Sequence, residues 1–345
     1  MRATGITYDT GFLRDGLSSR PHFDTDVVRA ELRIIRDDLH CTAVRIVGGD
    51  ADRLELAATH AADLGLEVWF SPYPLEQDTE QMRTFLLDCA ERAELLRRRG
   101  AEVVLVIGAE LSLMTGGFLP GDTVTERVAS LTDADALPER VAHASERLNA
   151  FFHATVPAVR KRFTGRLTYA SIPLERVDWT LFDLISVDLY RSAAVADRFA
   201  DGVRALVTQG KPVAVTEFGA ATFRGAGDVG ANGLDIVEYN PGPVRLTATH
   251  TRDEEGQATY VRELLDLFED AGIDTAFVFL FALYDMPHRP DGDPRDDLDL
   301  ASYGIVKVLD GRTGTAYPTM NWEPKAAFAA VAEHYRDARA ATRMG

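Results

Sequence analysis

The feature that most constrains this chain is an alternation: short apolar runs take turns with longer amphipathic segments, eight times along 345 residues. Runs rich in β-branched and aromatic residues read as strands, and segments with apolar residues every three or four positions read as helices. The strands fall at 3–9 (ATGITYD), 42–48 (TAVRIVG), 67–73 (EVWFSPY), 102–110 (EVVLVIGAE), 166–172 (RLTYASI), 184–190 (LISVDLY), 212–219 (PVAVTEFG) and 275–285 (TAFVFLFALYD). Helices are expected from Asp24 or Thr25 to about 40, then at 51–64, 80–99, 138–163, 193–208, 254–271 and 323–341. Only a short helix near 178–183 separates strands five and six, the weakest of the eight units. The strands are apolar nearly throughout, so their sheet is expected to be parallel and covered by helices. Eight is the closure number of the TIM barrel, and the expectation is an α/β chain with one (β/α)8 TIM-barrel domain over residues 1–345. A doubly wound open sheet is the competing fold. The longest loops, 222–252 and 286–321, follow strands seven and eight and would lie on the catalytic face.

Charge narrows the partners. A formal net charge of -17 disfavours binding to nucleic acid or to an anionic membrane surface, both of which call for clustered Lys and Arg. A neutral small molecule is compatible with it. Two cysteines, Cys41 and Cys89, are too few for a disulfide framework and read as buried thiols. No signal peptide is visible at the N-terminus and no run approaches the ~20 apolar residues of a membrane helix, so the expected location is the cytoplasm.

Two strands end in a carboxylate. VVLVIGAE ends in Glu110, and PVAVTEFG carries Glu217 just before a glycine. Either alone could cap a helix or pair with an arginine. Together, at the ends of strands four and seven, they would face each other across the barrel mouth, where a pair of carboxyl groups can act as acid and nucleophile at a glycosidic bond.

On these residues the chain resembles the clan A retaining glycoside hydrolases. VAVTEFGA (213–220) resembles the clan's strand-seven motif, TAVRIVG (42–48) its second strand, ISVDLYRS (185–192) its sixth, and WEPKAAFAAVAEHY (322–335) its closing helix. The resemblance implies that Glu217 is the nucleophile, Glu110 the general acid/base, and Arg45 and Tyr190 supports of the nucleophile. A nucleophilic carboxylate must stay ionised, which a nearby Arg favours, while the acid must hold its proton, which an apolar pocket favours.

Two departures concern sugar recognition. Ala109 stands where the clan has the Asn that binds the sugar 2-hydroxyl, and strand eight offers Phe279, Phe281 and Tyr284 in place of a Trp. Tyr8, Tyr73, Phe281, Tyr284 and His288 are the candidate substrate contacts, with His22 a further one on a loop. The expected function is a retaining glycoside hydrolase or transglycosidase acting on a small soluble glycoside without cofactor or metal. The alternatives are a lyase, isomerase or cyclase using the same glutamates as acid and base, or a non-catalytic carbohydrate-binding protein.

Other signals carry less. Gly225, Gly227 and Gly230 match G-x-G-x-x-G but do not lead directly from a strand into a helix, as a dinucleotide loop must. Asp291, Asp293, Asp296, Asp297 and Asp299 crowd one loop without the spacing of a calcium-binding EF-hand.

Overall fold

Each strand of a parallel barrel sends side chains alternately inward and outward, and the two sets meet different surroundings. The computed structural model describes residues 1–14, 16–239 and 243–344. Eight parallel strands close into one barrel: β1 Ala3–Asp9, β2 Ala43–Gly48, β3 Glu67–Pro72, β4 Val103–Ala109, β5 Arg166–Ser171, β6 Ile185–Asp188, β7 Val213–Phe218 and β8 Thr275–Val278. Each pairs with its sequence neighbours, and β8 closes the ring by pairing Ala3 with Thr275 on β1. Outward-facing Val44, Ile46, Val68, Phe70, Leu105 and Val215 pack under the helices, while inward-facing Ala43, Val47, Trp69, Val104, Val106, Ala214 and Phe277 fill the barrel. Small residues set against Trp69 and Phe277, whose ring centroids lie 4.9 Å apart, plug the floor.

The helices are α1 Thr25–Asp37, α2 Ala51–Asp63, α3 Thr79–Arg98, α4 Leu137–Arg160, α5 Ala196–Val207, α6 Glu254–Ala271 and α7 Ala326–Met344. Asp24, Asp50 and Asp78 start the first three by accepting hydrogen bonds from the free N–H groups of the first turn. Between β5 and β6 there is only a 3₁₀ turn, Trp179–Leu181. Two short helices, Leu111–Met114 and Val124–Ser130, precede α4.

Three sequence expectations shift. Strand eight stops at Val278, because the peptide groups beyond it pair elsewhere: Phe281 N–H donates to Thr7, and Leu280 and Phe281 carbonyls accept from Ile305 and Val306. The last helix starts at Ala326, since Trp322–Pro324 is held in an antiparallel pair with Val306–Val308. The segment after Gly225, expected to be loop, forms short helical turns at Ala226–Val229 and Gly230–Ile236, and residues 240–242 of that loop lie outside the described residues. Among the described residues no helix is long and apolar enough to cross a membrane.

Candidate active site

The site is built where strands leave their regular register. On β2, alternation turns Arg45 inward between Ala43 and Val47. On β7 an irregularity intervenes: Val187 pairs with Val215, but the next residue, Asp188, pairs with Glu217. The extra residue reverses the facing of Glu217, the usual effect of a bulge, and brings it to Arg45. Arg45 Nη1 donates to Glu217 Oε1 at 2.7 Å and to the Thr216 carbonyl at 3.0 Å, and Nε donates to Ser71 Oγ at 3.1 Å. Tyr190 donates its hydroxyl to the other oxygen, Oε2, at 3.2 Å. Burial pushes the Glu217 carboxyl above its ordinary value; Arg45 and then Tyr190 pull against that shift without reversing it.

A second irregularity ends β4, between Val106 and Ala109. Gly108 there takes φ 92°, and a Cβ at that position would come within 2.8 Å of Leu111, so glycine is required by both backbone and space. Glu110 follows in the left-handed conformation, φ 47° and ψ 39°, uncommon for a residue with a side chain. Its backbone is held from both sides: the N–H donates to Ala170, and the carbonyl accepts from Leu113 and Met114, each at 2.9 Å. Strained backbone of this kind gathers at functional sites. The Glu110 side chain keeps part of its surface open yet is ringed by protein atoms. Desolvation, then the charges of Asp188, Glu217 and Glu175, push its carboxyl well above the usual range.

Asp188, at the end of β6, completes a trio. One carboxylate oxygen from each of Glu110, Asp188 and Glu217 lies within 4.8 Å of the others. Asp188 is 2% exposed, and neither of its oxygens has a hydrogen-bond partner. Burial and then Glu217 drive its carboxyl well up, with Arg45 and the neighbouring Thr216 hydroxyl opposing. Carboxyl groups this close share protons and titrate as a set. The three oxygens could also contact a cation, although the Arg45 charge beside Glu217 opposes a metal ion there.

Tyr73 belongs to the same chamber. Its ring lies 6.0 Å from the Arg45 guanidinium and meets Phe12 edge-on at 5.3 Å, and its phenol is raised by burial and then by Glu110 and Glu217. Tyr303 joins Tyr190 to Phe279, with centroid distances of 5.8 Å and 6.0 Å.

The remaining aromatic candidates are not brought to the carboxylates. Tyr8 and Tyr284 donate their hydroxyls to Glu31 on α1, whose buried carboxylate also accepts from Arg20 at 2.8 Å and Trp322 at 2.9 Å. Phe281 packs between Tyr8 and Trp322 in that same layer outside the barrel wall. His288 is tied 2.9 Å from Asp297, in a network with Arg252, Asp299 and Lys325 that joins the loops after β7 and β8. Asp293 and Asp296 pair with Arg245. His22 lines a separate cleft of about 560 Å³ with Arg20, Tyr284 and Asp285.

Sequence reasoning passed over Asp188, Ser71 and Thr216. Asp188 was within reach, because residues two apart on a strand share a face and Tyr190 had already been singled out.

The chain matches no family model and no curated protein. Its shape does have counterparts among solved structures. A GH113 β-1,4-mannanase superposes with a TM-score of 0.61 at 15% identity, covering 96% of this chain and 98% of that one. The GH113 β-mannanase of Alicyclobacillus acidocaldarius gives 0.58 at 16% identity, with 96% of each chain covered. A Ruminococcus gnavus β-glucuronidase gives 0.56 at 12% identity, over 97% of this chain and 49% of that one. At such identities the likeness is one of fold: the chain is a closed (β/α)8 barrel of the architecture found in GH113 mannanases and other clan A glycosidases.

Proposed function

We propose that this protein is a retaining glycoside hydrolase or transglycosidase acting on a small glycoside, with Glu217 as nucleophile and Glu110 as general acid/base. The observation that carries the reading is the unequal treatment of two carboxyl groups only 4.8 Å or less apart. Glu217 has a guanidinium and a phenol donating to its two oxygens, which favour its charged form. Glu110 has no such donor and is pushed toward its neutral form by burial and by its neighbours' charge. Environments that separate two carboxyls in this way assign the acid and the nucleophile. Retaining enzymes hold the pair roughly 5–5.5 Å apart and inverting enzymes about 6.5–9.5 Å apart, and the approach seen here falls on the retaining side.

In the first step a Glu217 oxygen attacks the anomeric carbon while Glu110 gives its proton to the departing oxygen. In the second, Glu110 takes a proton from water, or from a sugar hydroxyl in transfer, as that oxygen attacks the glycosyl ester and frees Glu217. Arg45 and Tyr190 act through Glu217, keeping it ionised and aimed.

A second reading has its own support. Ala109 offers no amide to a sugar 2-hydroxyl, and Asp188 adds a third carboxyl, so the same groups could serve a lyase, isomerase or cyclase as plain acid and base. Incubation with a panel of aryl glycosides, comparing wild type with Glu217→Gln, tests the first reading, together with labelling by a mechanism-based fluorosugar. Release of the aryl group by wild type alone, with Glu217 labelled, is the expected result. A protein inert to the panel and unlabelled belongs to the second.

A further inference from the structure

Asp188 is the group that the proposed reaction does not use. It is buried at the floor of the chamber, its oxygens are unpartnered, and the Thr216 hydroxyl beside it could satisfy only one of its lone pairs. Unpaired buried carboxylates are costly, so a side chain kept in this state points to something that binds there. The charge count says what. Glu110, Asp188 and Glu217 converge with a single cation, Arg45, whose nearer nitrogen is already committed to Glu217. Fully ionised, the chamber is short of positive charge by two.

Its dimensions favour an ammonium over a bare metal ion. An ammonium nitrogen making hydrogen bonds of about 2.8 Å in tetrahedral directions puts its acceptors roughly 4.6 Å apart. The trio's oxygens lie within 4.8 Å of one another. The walls agree with this, since Tyr73, Tyr190 and Tyr303 surround the trio and aromatic faces attract ammonium groups. Arg45 offers a metal only repulsion, whereas an ammonium can sit on the Asp188 and Glu110 side, away from it.

We infer that the site takes an amino sugar, whose protonated amine is held by Asp188 together with Glu110. The inference rests on the proposed glycosidase site and names the substrate class of that site. The groups facing Asp188 are Glu217 and Thr216 on β7, Arg45 on β2, Glu110 after β4, Glu175 after β5 and Tyr73 after β3. Arg45 is the one cation among them, so an arriving ammonium meets carboxyl groups that hold shared protons and must release them.

The test is calorimetric and needs no turnover. D-Glucosamine and D-mannosamine are titrated into wild type and Asp188→Asn, each beside glucose and mannose, which differ at one atom. Amino sugars are expected to bind wild type at least tenfold more tightly than their neutral partners, and Asp188→Asn to lose that preference. Because a folded variant is needed, its circular dichroism and melting are read first. A measurement on wild type stands independently: binding heats in two buffers of different ionisation enthalpy should report proton release at a pH about one unit below the amine pKa of ~7.7. Neutral sugars binding as tightly as amino sugars, or a preference that survives Asp188→Asn, overturns the inference. Manganese or calcium that binds wild type and displaces the amines, with no aromatic or amine preference left, overturns it in favour of a metal site. Hydrolysis of neutral aryl glycosides without any amine preference would sink this inference alone. Amine binding by a protein inert to every aryl glycoside, amino glycosides included, would sink the glycosidase reading and leave the ammonium site standing.

Discussion

Replacing Arg45 by methionine keeps most of the side-chain volume and removes one charge from the chamber. Arg45 is wholly buried and Glu217 is 4% exposed, so the lost partner cannot be replaced by bulk water without rearrangement. At an effective dielectric of about 20, two charges 4 Å apart interact by about 4 kcal/mol, which corresponds to about 3 pH units on the Glu217 carboxyl. Water entering the space vacated by the guanidinium should recover part of this, leaving a rise of about 2 units. Ser71 Oγ and the Thr216 carbonyl also lose their donor. Two consequences follow. The acidic limb of the kcat/KM profile moves up by about 2 pH units, and activity at neutral pH falls about a hundredfold where ionised Glu217 is limiting. Stability falls by about 3–5 kcal/mol at neutral pH, the cost of breaking a buried pair from one side. The pH dependence of that cost has a definite sign. Glu217 already has a raised pKa, and the variant raises it further. A carboxyl raised in the folded state contributes stability below its unfolded pKa and loses it as pH rises through the folded value. The deficit of Arg45→Met should therefore be smallest near pH 4 and grow toward neutrality, and the double variant Arg45→Met, Glu217→Gln should recover part of it. Urea unfolding across pH and a rate profile on the best aryl substrate provide the measurements. A folded, active Arg45→Met with an unmoved acidic limb would refute the assignment of Arg45 to the ionisation of Glu217.

Further outcomes are expected from the other groups. Glu110→Ala should retain the first step on substrates with very acidic leaving groups and be rescued by azide, which attacks the glycosyl ester without a general base; no rescue would count against a covalent intermediate. Asp188→Asn should raise the melting temperature at neutral pH, because it removes a carboxyl whose ionisation is opposed by burial and by Glu217; the gain should vanish in acid, where Asp188 is neutral anyway, and a pH-independent change would contradict this. Glu31→Gln should cost about 3–5 kcal/mol in urea unfolding, since it leaves the fully buried Arg20 guanidinium without its paired charge. Activity per folded molecule should change little, because Glu31 lies outside the barrel wall, on α1.

The strands were legible because a barrel strand is buried on both faces and writes an unbroken apolar run. Glu110 and Glu217 were legible as carboxylates that end such runs. Helix starts were equally plain at Asp24, Asp50 and Asp78, where local hydrogen bonding suffices. Chain order alone also placed Arg45 and Tyr190 on strands that meet Glu217. What the sequence could not decide was facing and convergence. Tyr8 and Arg45 both sit in apolar strands, yet Arg45 points into the barrel and Tyr8 out to Glu31, a difference of strand parity that composition does not carry. The bulge that turns Glu217 toward Arg45 is a property of register between β6 and β7, not of either strand. Phe281 and Tyr284 read as continuations of strand eight, but the peptide groups there find partners on Thr7 and the 305–306 segment instead. Above all, the meeting of Asp188 with Glu110 and Glu217 depends on three strands far apart in sequence arriving at one point. Local propensity acts over a few residues, whereas barrel closure joins residues 110, 188 and 217 within 4.8 Å, and only the closed barrel imposes that convergence.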